Sequence, residues 1–183
     1  FAVGADKVLM RRAFVELPSL CLDVASKYGS QAVIAGIDVQ EEPIVAQPRP
    51  DRHAVTRSLL ADHVKAVTAL GAGELLVQSV SRDGTGNGLD LSLAESSAAG
   101  STPLILMGGV GQPEHIRQAL VHEGVDAVAT ANLFNFIGDT LLEARNRAIE
   151  AGVPLGRAST ITLEHLRDIL VSKRSSAGEG VAL

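Results

Sequence analysis

The chain has 183 residues, 46% of them hydrophobic and 20% charged, with a formal net charge of -5, a balance that suits one globular domain with a real core rather than a disordered segment. The acidic excess leaves no basic surplus for neutralising a nucleic-acid backbone, and no apolar run approaches the roughly 18 residues of a membrane span. Cys21 is the only cysteine, which excludes an internal disulfide framework and a thiolate-rich metal site and fits a reducing compartment, here expected to be the cytoplasm. The opening Phe1-Ala2-Val3-Gly4 carries neither methionine nor a signal peptide, so the natural start is expected to lie upstream.

In chain order, short Val, Ile and Leu-rich runs alternate with longer amphipathic stretches, as when parallel strands are joined by crossover helices. Strands are expected at Lys7 to Met10, Ala32 to Val39, Glu74 to Val80, Pro103 to Met107 and Ala127 to Ala131. After the first, Leu17, Leu20, Cys21 and Val24 share a helical face that stops at Tyr28-Gly29. Leu59, Leu60, Val64 and Val67 repeat at helical spacing up to Gly71, and Ile116, Ala119 and Leu120 do so before Gly124. Between them, Glu41 to His53 contains Pro43, Pro48 and Pro50 and reads as a surface loop. Residues 1–157 are expected to form the α/β unit and 158–183 a short helix, Thr162 to Val171, with a polar tail. Five parallel strands fit either an open doubly wound sheet or part of a closed eight-stranded barrel, and periodicity does not separate the two.

Chemistry-bearing residues gather at predicted strand ends. Asp38 closes the apolar run Ala32 to Ile37, at the carboxyl end where both architectures place their sites; alone, such an aspartate more often caps the next loop. The following strand runs into Ser81-Arg82-Asp83-Gly84-Thr85-Gly86-Asn87-Gly88, a loop able to present backbone N–H groups to an anion, or simply to turn. Pro103 to Met107 leads into Gly108-Gly109-Val110-Gly111 and a helix starting near Gln112-Pro113. Glycines there let backbone approach a phosphate and the helix N-terminus adds partial positive charge, although a tight strand-to-helix turn uses the same residues. Thr130-Ala131-Asn132 ends the last strand. Asp6-Lys7, Glu74 and Asp126 stand at the opposite strand ends, where solvation alone would explain them. His53, His63, His115, His122 and His165 show no metal-ligand spacing, so no metal and no cofactor are expected.

Gly4-Ala5-Asp6-Lys7-Val8, Tyr28 to Val33, Ile37-Asp38, Gly71-Ala72-Gly73-Glu74, Arg82-Asp83-Gly84-Thr85 and Gly108 to Gly111 with Glu114-His115 occur in this order, extended by Gly124 to Ala127 and Phe134-Asn135-Phe136. Together they resemble the cyclase subunit of imidazole glycerol phosphate synthase from its fourth strand onward. The resemblance implies the C-terminal part, about five strands, of a TIM-type (β/α)8 phosphate-binding barrel. It also implies a lyase that takes ammonia from a glutamine amidotransferase partner, as a heterodimer, to cleave and cyclise a bisphosphorylated ribonucleotide in histidine biosynthesis. Carried over residue by residue, Asp38 matches a catalytic carboxylate. Asp83, assigned here as a second catalytic candidate, lies with Gly84 in a substrate-holding loop, and Gly108, Gly109 and Val110 match a phosphate cradle. Lys7 and Glu74 match members of an ammonia gate. Arg11 and Arg12 stand where the family usually has Asn-Thr at its other phosphate site, and Asn132 stands in for a serine. Ser81 and Met107 are further departures from the pattern.

The family's first-strand aspartate precedes the matched region, so this fragment alone is expected to be inactive. One alternative is a paralogue that delivers ammonia to a nucleotide-linked sugar for a surface polysaccharide, and another is a non-catalytic metabolite-binding barrel. The sister isomerase of histidine synthesis is a lesser option, since the Gly-Gly-Val-Gly run with Glu114-His115 looks more like the cyclase.

Overall fold

The computed structural model describes residues 1–41, 53–131, 133 and 140–155. Its strands are β1 (Val8–Met10), β2 (Val33–Gln40), β3 (Val55–Thr56), β4 (Glu74–Ser79), β5 (Leu104–Met107) and β6 (Ala127–Ala129). Its helices are α1 (Ala13–Glu16), α2 (Pro18–Tyr28), α3 (Leu60–Ala69), α4 (Ser92–Ser97), α5 (Pro113–Leu120) and α6 (Thr140–Glu150). Phe1–Val153 form one compact unit and Pro154–Leu183 a second. The helix expected over Thr162 to Val171, Asn132, and nearly all of the proline-rich loop lie outside the described residues.

Every strand pairing is parallel, and the main path runs β1-β2-β4-β5-β6, with β3 a two-residue addition beside the end of β2. Consecutive strands are therefore neighbours with no reversal of order. Along β2, Val33, Ala35, Ile37 and Val39 are buried in the core while Ile34, Gly36 and Asp38 are only half-buried; in β5, Leu104 and Leu106 are buried and Ile105 and Met107 are not. Side chains alternate faces along a strand, so the core lies on one side of the sheet. It is completed there by Cys21 of α2, Leu60, Val64 and Val67 of α3, Leu93 of α4, and Ile116 and Ala119 of α5. A doubly wound sheet reverses its strand order and carries helices on both faces; among the described residues this sheet does neither. It is a stretch of (β/α)-barrel wall, with the half-buried residues on the face that a barrel turns inward.

Helix ends follow local chemistry. Gly29 (φ 88°) follows α2 and Gly71 (φ 95°) follows α3, both in the left-handed region that glycine enters without Cβ strain. The expected apolar face of α2 is only partly buried: Cys21 is fully buried, whereas Leu17 and Leu20 are exposed. Leu17 precedes the helix, and Leu20 is turned about 100° from Cys21 around the helix axis.

Candidate functional site

Register places Asp38, Gln78, Met107 and Ala129 in one row across β2, β4, β5 and β6, near the carboxyl ends and on the inner face. Arg11, just beyond β1, reaches this row. Its Nη1 pairs with Asp38 Oδ1, and its Nη2 donates to Gln78 Oε1 at 2.8 Å. Gln78 Nε2 in turn donates to Asp83 Oδ2 at 3.1 Å. The two carboxylates singled out from the sequence are thus ends of one hydrogen-bonded chain, Asp38–Arg11–Gln78–Asp83. A cleft of about 410 Å³ opens beside it, bordered by Arg11, Arg12, Gly36, Asp38, His53 and His63. Burial lowers the pKa of His63 below the usual histidine value, which favours the neutral ring. Nε2 of His53 is 3.4 Å from Glu16 Oε1.

The glycine loop after β5 lies against the β4–α4 loop. Gly88 N–H donates to the Gly109 carbonyl at 2.7 Å. A Cβ at Gly108 (φ 102°) would stand 2.6 Å from the Ser79 carbonyl oxygen, and one at Gly111 would stand 2.5 Å from that of Gly86. Side chains at these positions would separate the loops. Gly111 N–H donates to His115 Nδ1 at 3.2 Å, and the same ring packs 3.6 Å from the Cβ position of Gly88. His115 therefore braces both loops, a role its sequence spacing gave no sign of. Asp83 and Gly84 border one small pocket with Gly108, Gly109, Val110 and Thr130. Backbone rich in glycine at the start of α5, beside a carboxylate, is an arrangement that can receive a phosphate and move a proton near it.

At the opposite end of the sheet Lys7 Nζ pairs with Glu74 Oε1. Asp126 does not join them: it accepts from Leu104 N–H at 2.8 Å and so ties β5 to the residue before β6. A further cluster at the carboxyl ends has no local signature in the sequence. Arg57 pairs with the buried Asp90, donates to Ser92 Oγ at 2.6 Å and reaches Glu41 at 3.1 Å. Burial alone pushes the Asp90 carboxyl up, but hydrogen bonds from Ser92 and Arg57, with the charges of Arg57 and Arg82, outweigh it and hold the pKa below the usual carboxylate range.

The one-sided sheet and sequential parallel strands among the described residues define a (β/α)-barrel protein, with the candidate site at the carboxyl strand ends. The family model described as "Histidine biosynthesis protein" matches residues 1–139, and the chain belongs to that family. It is 37% identical over 150 residues to a Parasynechococcus marenigrum protein named "Putative imidazole glycerol phosphate synthase subunit hisF2", covering 81% of this chain and 56% of that protein. It is 35% identical over 158 residues to the "Imidazole glycerol phosphate synthase subunit HisF" of Corynebacterium diphtheriae, covering 81% of this chain and 61% of that protein. The chain thus spans little more than half the length of these relatives. No helix among the described residues is long and apolar enough to cross a membrane.

Proposed function

We propose that this chain is the C-terminal part of a cyclase of the imidazole glycerol phosphate synthase type, a lyase supplied with ammonia by a glutamine amidotransferase partner. The observation that carries the reading is the joining of Asp38 and Asp83 in one network whose Asp83 end borders the glycine cradle. In this scheme the cradle of Gly108, Gly109 and Val110 holds one phosphate through backbone N–H groups, with Gly84 closing over it. Arg11 and Arg12 take the second phosphate through forked donors. Asp38 transfers protons during ammonia addition and ring closure, and Asp83 orients or relays them. Lys7 and Glu74 form part of the entrance for ammonia at the other end of the sheet. The remaining strands and the partner carboxylate come from the rest of a longer protein, consistent with the span of the relatives.

A second reading, ammonia delivery to a nucleotide-linked sugar, is favoured by one feature: two arginines border the cleft where the family pattern has Asn-Thr, and a bulkier anionic group could use them. The test is ammonia-dependent turnover of the bisphosphorylated histidine-pathway intermediate by the full-length protein, wild type against Asp38→Asn. Turnover in the wild type that falls at least about a hundredfold in the variant, the scale of a general acid or base, supports the cyclase. A folded wild type without turnover sinks it and turns attention to the sugar.

A further inference from the structure

We infer that Gly36 and Gln78 are positioning residues for Arg11, seating its guanidinium at the carboxyl end of the sheet so that an anion entering the cleft meets it already oriented. The inference rests on the proposed anion-binding role of Arg11 and adds two residues to it. Three observations point the same way. Gly36 lies two residues before Asp38 on the same face of β2, and a Cβ there would stand 2.6 Å from Arg11 Cγ and 3.0 Å from its Nε. The missing side chain is the slot in which the arginine stem lies. Gly36 is not among the glycines with positive φ, so backbone strain does not explain it and an alanine there acts on Arg11 and its neighbour Leu9, whose Cδ1 is 3.2 Å away.

Gln78 holds the other end. Its carbonyl oxygen accepts from Arg11 Nη2 and its amide nitrogen donates to Asp83. The amide in that orientation satisfies both neighbours, because the guanidinium has only donors and a carboxylate offers acceptors. Arg11 is therefore fixed by Asp38 on one nitrogen and Gln78 on the other, while its side chain keeps about a third of its surface open (34%). A guanidinium held in this way loses less rotamer freedom when it binds an anion.

The test uses the full-length protein and two independent readouts. The first is NMR of the arginine guanidinium with 15N labelling, the Arg11 signals assigned by their loss in Arg11→Lys. A seated guanidinium rotates slowly and gives separate Nη resonances. They are expected in wild type and in Gln78→Glu, which keeps an acceptor for Arg11, and are expected to merge in Gln78→Leu and Gly36→Ala. The second is calorimetric binding of inorganic phosphate. Gln78→Leu and Gly36→Ala should each weaken it by about tenfold, the worth of one hydrogen bond to a charged group, and neither should weaken it further in an Arg11→Met background. A merely structural role would persist in that background and overturn the inference. Merged resonances in wild type would also overturn it. Phosphate binding that needs Arg11 but ignores Gly36 and Gln78 would overturn it while leaving the proposed anion site intact. Separate resonances that merge as expected, in a protein without phosphate affinity, would uphold the seating and refute the anion-binding role.

Discussion

Replacing Asp90 by alanine removes a carboxylate that is only 8% exposed and accepts from both Arg57 and Ser92. Breaking a buried ion pair by deleting one partner costs about 3–5 kcal/mol. Arg57, however, retains Glu41 at 3.1 Å and is 32% exposed, so it is not stranded without solvent. The loss expected is therefore smaller, about 2–3 kcal/mol, or a fall in Tm of about 4–12 °C for a protein of this size. The effect has a pH signature. Because the folded pKa of Asp90 is lowered, its contribution is complete above the unfolded carboxylate value of about 3.9 and fades as pH falls through the folded value. Urea unfolding of wild type and Asp90→Ala followed by circular dichroism should show a constant gap between pH 5 and 7 that narrows below about pH 4. A gap under about 0.5 kcal/mol at pH 7, the range of ordinary surface substitutions, would refute the reasoning, as would a gap unchanged in acid.

Leu104 is fully buried in β5, and Leu104→Ala should cost about 2–5 kcal/mol through lost burial and the cavity left behind, measured by the same unfolding. Gly108→Ala combines a φ of 102° with a Cβ crowded by the Ser79 carbonyl. It should destabilise by about 1–3 kcal/mol and weaken phosphate binding; unaltered phosphate affinity in a calorimeter would argue against the cradle. Cys21 is fully buried and burial raises its thiol pKa. Its alkylation by iodoacetamide at pH 8 should be negligible in the native protein and rapid in urea, and equal rates in both would contradict its placement.

The sequence alone determined the five strands of the sheet's main path. The five expected strands sit within two residues of β1, β2, β4, β5 and β6, because a parallel strand covered by helices needs a continuous apolar run that the eye can find. Gly29 and Gly71 marked helix ends for an equally local reason, since a positive φ restricts the residue that follows a helix. The glycine loop after β5 and the acid-rich strand ends were legible in the same way, and the ordered motifs indicated the family.

Tertiary structure alone decided what depends on pairing at a distance. The two residues of β3 owe their strand state to the end of β2, not to any pattern of their own. Gln78 reads as one polar residue in an apolar strand until register sets it beside Asp38 and brings Arg11, 67 residues earlier, onto its amide. Arg57 and Asp90, 33 residues apart, meet only through the folding of two loops. The one-sided core, which separates barrel wall from doubly wound sheet, is likewise a property of where the crossovers pass. Periodicity records which residues avoid water, but not which neighbour shields them or which polar group they face across the sheet.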